Sequence, residues 1–195
     1  MTRGRSSRTP AALRVLGVDP GLAKTGYGII DSFPGRLAHV THGVISTPPE
    51  METGARLLVI YESLAAVIEK FHPVQAGIEN LYFAKNITSA LPVSQARGAV
   101  FLLFAQKALP VGDYPPPVIK RAIVGNGRAE KDQVQKMVQI LLGLAELPRP
   151  DHAADALAAA ICHAHTARSA EKIFAKGAAA VSAKQNRKTF RRRIC

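Results

Sequence analysis

The chain opens with alternating stretches of apolar and polar residues that predict a β-sheet. The apolar run Leu13–Val18 is short enough for a buried strand and ends at Asp19. Pro20-Gly21 then predicts a tight turn, because proline fixes φ and glycine accepts positive φ. Thr25–Ile30 is a second β-rich run, and Arg36–Ser46 alternates as a third. Three strands joined by short turns predict an antiparallel meander.

The pattern then changes to helical spacing. Glu50–Phe71 has apolar residues three and four apart and acids at its start, which predicts a helix that His72-Pro73 ends. Val74–Ile78 is a short apolar run, read as a fourth strand, and Glu79 follows it. The next helix runs to about Ala108. It begins near Leu91 with Pro92 in its first turn, or it is kinked at Pro92.

The remaining pattern predicts one more strand and two more helices. The strand is Pro110–Asp113, and the helices are Ala129–Leu144 and Asp151–Ala167. The segment Val118–Val124 is assigned neither form. The last helix is rich in alanine, so it can approach a sheet closely. The order β-β-β-α-β-α-β-α-α predicts an α/β domain with a mixed five-stranded sheet, three antiparallel strands plus two parallel ones, flanked by helices.

Composition and charge add a domain outline. The 195 residues suffice for one ordinary domain, and no apolar run is long enough for a membrane span. The net charge of +12 is concentrated at the ends: residues 168–195 hold nine Lys/Arg against one Glu. We therefore expect a disordered basic arm at 1–12, a folded domain at 13–167 and a basic, disordered tail at 168–195. Basic ends on a nearly neutral domain favour a polyanion partner, although a solvated tail is the alternative.

The start and the cysteines indicate a reducing compartment. The first ten residues are basic but lack the apolar segment of a signal peptide. Cys162 lies in an apolar helix and Cys195 is the last residue, so we expect no structural disulfide. We expect a cytoplasmic protein with no membrane partner.

Acidic residues lie at the ends of predicted strands and at the start of the last helix, where α/β proteins usually have their functional sites. Asp19 and Glu79 end separate strands, and His152 and Asp155 share one helix face. Gathered together, these groups would repel each other unless a divalent metal bound them, and oxygen ligands suit Mg²⁺ and Mn²⁺. The alternatives are that Asp19 only caps its turn and that His152 is solvated. Asp151 lies on the same face, and the more natural role for it is the helix N-cap.

Five motifs, taken in order and spacing, resemble the RuvC family of Holliday junction resolvases. They are Gly17-Val-Asp-Pro-Gly-Leu-Ala-Lys-Thr-Gly-Tyr-Gly28, Ile78-Glu-Asn-Leu-Tyr-Phe-Ala-Lys-Asn86, Gln95-Ala-Arg-Gly98, Val124-Gly-Asn-Gly-Arg-Ala-Glu-Lys131 and His152-Ala-Ala-Asp-Ala-Leu-Ala158. The resemblance implies a ribonuclease H-like fold and a homodimer that nicks two opposing strands of a four-way junction with Mg²⁺ or Mn²⁺. It also implies short T-containing cut sites, partnership with the RuvA–RuvB branch-migration machine and a place at the bacterial nucleoid.

The resemblance also assigns roles to residues. Asp19, Glu79 and Asp155 become metal-binding catalytic carboxylates, and His152 stands where the family usually has a fourth acid. Imidazole at that position favours Mn²⁺ over Mg²⁺. Tyr82 or its neighbour Phe83 is expected to stack on a junction base, and Lys85, Lys120 and Lys131 to lie near the DNA backbone. Arg97 falls in the helix where the family makes its dimer contact.

These features predict a structure-specific endonuclease that uses two metal ions and leaves 5′-phosphate and 3′-hydroxyl ends. One alternative is an actin- or Hsp70-like ATPase fragment, whose phosphate-binding hairpin also has an Asp on its first strand. That fold needs a second domain of comparable size, for which 195 residues leave no room. The other alternative is a non-catalytic relative that binds junctions, which would leave the three carboxylates without a role.

Overall fold

The computed structural model describes residues 12–80 and 87–167. The strands are β1 (Leu13–Asp19), β2 (Lys24–Phe33), β3 (Arg36–Ser46), β4 (Gln75–Glu79) and β5 (Val111–Tyr114). They form one five-stranded sheet in the order β3-β2-β1-β4-β5. The pairs β1–β2 and β2–β3 are antiparallel, whereas β1–β4 and β4–β5 are parallel. The predicted mixed sheet is confirmed.

The helices are α1 (Thr53–Phe71), α2 (Ile87–Gln106), α3 (Pro116–Val124), α4 (Lys131–Leu142) and α5, which covers residues 151–167. The start predicted for α1 was wrong: the helix begins at Thr53, and its first turn holds no acidic residue. The start predicted for α4 was early by two residues, because Glu130 is its N-cap and forms a reciprocal capping box with Gln133.

The structure also decides two points that the sequence left open. Helix α2 begins at Ile87, so of the two alternatives for Pro92 the start near Leu91 is ruled out and the proline lies inside the helix. Proline there removes one helical hydrogen bond, which the burial of Val100, Leu103 and Phe104 offsets. The segment assigned no secondary structure is helix α3, which begins with proline in its first turn and ends at Gly125 in the left-handed conformation.

The main hydrophobic core lies on one face of the sheet. Side chains of β1 that point to this face, Leu16 and Val18, are fully buried against α1 and α2. The helices contribute Ile60, Leu64, Val100, Leu103 and Phe104. Because successive residues of a strand point to opposite faces, Gly17 of β1 faces the other way.

Helix α5 packs on that opposite face, at very short range. A Cβ atom on Gly17 would overlap the carbonyl oxygen of Ala156, and one on Gly26 would overlap the carbonyl oxygen of His152. The helix contributes small side chains to this contact, which are fully or almost fully buried: Ala153, Ala154, Ala156, Ala158, Ala159 and Ala160. Glycine on the sheet and alanine on the helix therefore set the position of α5, as its composition predicted.

The chain divides after His163 into two compact units. Of the second unit only residues 164–167 are described, and they are helical. The predicted arm at 1–12, apart from residue 12, and the predicted tail at 168–195 lie outside the described residues, so those domain limits stay predictions. Within the described part of the chain, no helix is both long and apolar enough to cross a membrane.

Candidate active site

Two carboxylates meet at the edge of the sheet where the parallel strands end. Val18 of β1 pairs with Ile78 of β4 in parallel register, so the next residues, Asp19 and Glu79, end neighbouring strands side by side. The carboxyl ends of such strands are the usual place for a site in α/β proteins. The expectation that one sheet edge holds both carboxylates is confirmed.

The first turn of α5 brings the third and fourth groups. His152 Nδ1 lies 2.7 Å from Asp19 Oδ2. The carbonyl of His152 rests on Gly26 of the neighbouring strand, where a larger residue would push the turn away. His152 is therefore held by Asp19, although 43% of its side chain remains exposed. When Asp19 accepts this bond, the proton lies on Nδ1, and in the neutral imidazole Nε2 is the nitrogen left for a ligand.

A cleft of about 330 Å³ opens between these elements. Its walls hold all four predicted catalytic residues, Asp19, Glu79, His152 and Asp155, together with Pro20, Asn80, Val93 and Pro116. A second cavity of about 210 Å³ also reaches Glu79 and Asp155, and Lys120 and Lys131 line it from α3 and α4. Two of the predicted acids and two of the predicted lysines, which come from separate motifs, therefore line the same cavity.

Burial and close approach shift the pKa values of the titratable groups in the cleft. Burial, together with the neighbouring charges of Asp19 and Asp155, raises the pKa of Glu79 to about 8. Burial also raises the pKa of Asp155, against the opposing effect of Lys131. The hydrogen bond to Asp19 raises the pKa of His152. Such shifts are typical of functional sites.

Lys131 is the cation nearest the acids of α5. Its ammonium lies 3.1 Å from Asp151 Oδ2 and 3.3 Å from Asp155 Oδ2. Burial opposes the charge of Lys131, but the bonds to these two carboxylates raise its pKa overall. In this arrangement the lysine partly neutralises Asp155.

The N-cap role predicted for Asp151 was wrong. The carbonyl of Pro150 accepts the first helical bonds, from the N–H groups of Ala153 and Ala154, so Pro150 occupies the cap position and Asp151 is the first residue of the helix. The Asp151 carboxylate instead accepts a 3.1 Å bond from Gln135 Nε2 and pairs with Lys131. Asp151 therefore holds α4 against the start of α5.

Lys120 and the loop after Glu79 complete the account of the predicted DNA-binding residues. Lys120 lines the second cavity while its ammonium donates a 2.7 Å bond to the carbonyl of Ala129, so it also holds α3 to the segment before α4. Tyr82, Phe83 and Lys85 lie outside the described residues.

Arg97 has a role that the sequence did not indicate. Its guanidinium donates a 2.5 Å bond to the carbonyl of Glu79 and a 2.7 Å bond to the Asp113 carboxylate, and it lies 4.9 Å from the ring centre of Phe101. Arg97 thus ties the ends of β4 and β5 together within one protomer. The available signal was that Arg97 is the only charged residue in α2, since a charge in an apolar helix needs a partner.

The donor set fits a divalent cation, although the side chains are not arranged around one. Three carboxylates and an imidazole line one cleft, and burial together with the charges of Asp19 and Asp155 disfavours the ionised form of Glu79, which a bound cation would stabilise. Among the described residues, however, no group of three or more His, Cys, Asp and Glu side chains is placed to hold a metal ion. A cation would compete with the His152 bond to Asp19 and the Lys131 bond to Asp155.

The family of the chain follows from comparison with known proteins. Residues 15–163 match the model of the family described as crossover junction endodeoxyribonuclease RuvC. This chain belongs to the RuvC family. A RuvC of Treponema denticola is 56% identical over 147 residues, which are 75% of this chain and 83% of that protein. A RuvC of Chloroflexus aurantiacus is 48% identical over 161 residues, or 83% and 98% of the two chains.

Solved structures agree with this assignment. RuvC of T. thermophilus, in complex with a Holliday junction substrate, is 34% identical and superposes with a TM-score of 0.77, over 81% of this chain and 96% of that one. The yeast mitochondrial Holliday junction resolvase Ydc2 is only 16% identical. Its TM-score of 0.56, over 81% of this chain and 79% of that one, supports the fold alone. The fold of this RuvC-family chain is ribonuclease H-like, as expected.

Proposed function

We infer that this chain is a crossover junction endodeoxyribonuclease that resolves Holliday junctions in DNA recombination and repair. The observation that carries this inference is the cleft in which Asp19, Glu79, His152 and Asp155 meet at the ends of parallel strands, in a chain of the RuvC family. The reaction is phosphodiester hydrolysis by paired, symmetric nicks that leave 5′-phosphate and 3′-hydroxyl ends.

The four cleft residues would hold two divalent ions, which when bound would supply the positive charge that activates water and stabilises the leaving oxygen. Asp19 orients the His152 ring through its 2.7 Å bond, which leaves Nε2 to bind metal or accept a proton. Glu79 and Asp155 are partly shielded from water, which strengthens their interaction with any cation. A nitrogen ligand at His152 favours Mn²⁺ over Mg²⁺ as the preferred ion.

The two lysines of the second cavity, which also reaches Glu79 and Asp155, would bind the substrate backbone. Lys131 is about half exposed and pairs with carboxylates that a bound metal would otherwise neutralise, so it can turn to a phosphate when metal is present. Lys120 donates to the carbonyl of Ala129, which fixes its position in the wall of that cavity. We propose that Tyr82 or Phe83 stacks on a junction base and that Lys85 contacts the backbone.

A twofold homodimer explains how two strands are cut together. The outward face of α2 carries Leu91, Gln95, Gly98 and Leu102 at helical spacing, and both leucines are more than 60% exposed. Nothing lies within 4 Å of a Cβ built on Gly98, so a second helix can approach closely there. An exposed apolar stripe of this kind is typical of a helix that meets another chain. Two sites related by twofold symmetry would face a junction that is itself nearly twofold.

The cellular setting proposed is the bacterial cytoplasm at the nucleoid, with the RuvA–RuvB branch-migration machine as partner. The basic segments at 1–12 and 168–195 would add sequence-independent affinity for DNA by releasing counterions.

The test is a cutting assay on a synthetic four-way junction with a central TT step, in Mg²⁺ and separately in Mn²⁺. The native protein should give paired symmetric nicks. Asp19→Asn should bind the junction but cut at least about a thousandfold more slowly, because a charged ligand of the site is lost. The matched control is Asp132→Asn on exposed α4, which should cut normally. Binding without cutting in both metals would favour the non-catalytic alternative, and ATP binding would favour the ATPase.

A further inference from the structure

A third cavity, an open cleft of about 570 Å³ that is separate from the two described above, lies at the turn between α3 and α4. Two arginines, Arg121 and Arg128, line it together with Pro117, Gly125, Asn126 and Gly127. Both arginines are exposed, and neither forms an ion pair within the part of the chain that the structure describes. The residues that line it include no acid.

This cleft, here called the arginine cleft, adjoins the catalytic cleft through α3. Pro116, Ile119 and Lys120 line the cavity that reaches Glu79 and Asp155. Pro117 and Arg121, each one residue further along, line the arginine cleft. Helix α3 therefore lies between the two cavities, with Lys120 lining the one that reaches Glu79 and Arg121 lining the arginine cleft.

The turn that presents the arginines is held by several local contacts. Lys120 Nζ bonds the carbonyl of Ala129 at 2.7 Å, and Asn126 Oδ1 accepts a 3.0 Å bond from the backbone N–H of Arg128. A Cβ atom on Gly127 would lie 3.0 Å from the carbonyl of Pro117, so glycine lets the turn close down on the start of α3. The arginine side chains thus project from a fixed backbone, which reduces the entropy lost on binding.

The nearest acid in sequence is already engaged. The Glu130 side chain accepts a bond from the backbone of α4, and its own N–H bonds Gln133 Oε1 at 3.0 Å. Two guanidinium groups without an acidic partner, in an open cleft beside a nuclease site, suit a phosphate, because the planar fork of arginine matches phosphate oxygens.

We propose that the arginine cleft binds a phosphate of the DNA backbone next to the phosphodiester that enters the catalytic cleft. The proposal rests on the proposed nuclease function. The simpler interpretation is that Arg121 and Arg128 are solvated surface residues that contribute only to net charge. The two interpretations differ in what a change at this one place does to the salt dependence of binding.

The experiment measures the affinity for a four-way junction against salt concentration, in Ca²⁺ to prevent cutting. Arg121→Gln and Arg128→Gln should each weaken binding by about fivefold, the size of an exposed ion pair. Each should also lower the slope of log affinity against log salt by about one. In the double variant this slope should be lower by about two. Single-turnover cutting at saturating protein should stay at the native rate, since neither residue lines the catalytic cleft.

The matched control is Arg36→Gln, in the turn between β2 and β3. This turn lies at the opposite edge of the sheet, because Phe33 pairs with Arg36 there while Asp19 pairs with Gly26 at the catalytic edge. The control removes the same charge and should leave the slope unchanged. Arg121→Lys and Arg128→Lys keep the charge but not the fork, and should restore the slope with only part of the affinity.

The proposal fails if the double variant keeps the native affinity and slope, or if Arg36→Gln shifts them equally. It also fails if the lysine variants behave like the glutamine variants, since loss of charge would then not be the cause. A native protein that neither binds nor cuts junctions would overturn the proposed function itself, and that result is visible before any variant is made.

Discussion

Helix α5 packs closely against the sheet on one side, and on the other side its first turn presents titratable groups to the cleft. Towards the sheet, Gly17 and Gly26 meet the helix backbone directly, and the interface contains small apolar side chains. Even the titratable residue further along this interface, His163, is bonded to Tyr114 and Gln75, and burial lowers its pKa. Towards the cleft, the same turn presents His152 and Asp155 to two further carboxylates.

The packed interface therefore positions the first turn of α5, and the cleft holds the groups that would do the chemistry. The interface is complete in the folded chain and sets where the turn lies to within the size of a methyl group. The cleft is electrostatically incomplete, since Glu79 and Asp155 both have raised pKa values. A site of this kind is held in place by packing, against its own repulsion, until a cation or a substrate supplies the missing charge.

The most damaging change we expect is a methyl group in the interface. Gly17→Ala would place Cβ on the Ala156 carbonyl, so α5 must move away from β1. We expect a loss of about 3 kcal/mol or more in the free energy of unfolding, measured with urea. Cutting should fall as well, because His152 and Asp155 move with the helix.

Gly54 provides the control for that change. It lies exposed in the first turn of α1, and nothing lies within 4 Å of a Cβ built there. Gly54→Ala should leave stability unchanged or raise it by up to about 1 kcal/mol. Equal losses at the two glycines would mean that close packing does not position α5.

The next largest effect should come from removing a charge from the cleft. The pKa of Glu79 in the folded protein is about 8, above its ordinary value of 4.5. Between these values the folded state binds the proton more tightly than the unfolded state, so stability falls as pH rises through that window. Glu79→Gln should therefore stabilise the protein in EDTA at pH 8.5, by at least about 2 kcal/mol, and have little effect at pH 4.5.

That gain should be specific to the cleft and should disappear when metal is bound. Glu62→Gln on exposed α1 is the control and should not change the pH dependence. Added Mn²⁺ should stabilise the native protein more than the Glu79→Gln variant at pH 8.5. If Glu79→Gln destabilises the metal-free protein at pH 8.5, the folded cleft does not disfavour the ionised form of Glu79.

A smaller effect is expected from Arg97, which holds the backbone of Glu79 in place without lining the cleft. Arg97→Met keeps the stem but removes the bonds to the Glu79 carbonyl and to Asp113. We expect kcat to fall between about tenfold and a hundredfold through misplacement of Glu79, with junction affinity nearly unchanged. Arg97→Lys should recover part of the rate.

The same variant separates positioning from dimerisation. If Arg97 makes a dimer contact, Arg97→Met should weaken the dimer in sedimentation experiments. We expect that result instead from Leu102→Glu, which puts a charge on the exposed stripe of α2. Arg97→Met with native kcat and a dissociated dimer would contradict the positioning role.

The smallest effect should be on metal preference. His152→Asp replaces the nitrogen donor by oxygen, and we expect the ratio of Mn²⁺ to Mg²⁺ activity to fall several-fold, because nitrogen ligands suit Mn²⁺ better than Mg²⁺. Both activities are measured on one junction at saturating metal. An unchanged ratio would refute the expected role of His152 in metal selection.

Local pattern was sufficient for most of the fold. Short apolar runs, proline and glycine turns and helical spacing located all five strands and four of the five helices, because these signals depend on neighbouring residues. The local signal was ambiguous in two places. At Pro92 it could not decide between a helix start and a proline inside the helix, and tertiary packing keeps Pro92 inside α2. The three prolines before Val118 concealed the short helix α3.

The sequence by itself determined which side chains are available: carboxylates at the ends of two strands, a histidine and an acid one turn apart, and an α5 rich in alanine. Only the tertiary structure decided how they meet. The 2.7 Å bond between His152 and Asp19 joins residues 133 apart in sequence, and Arg97 reaches the Glu79 carbonyl from another element. Such contacts depend on how closely helices approach the sheet, which is a property of whole interfaces and is not encoded in any single motif.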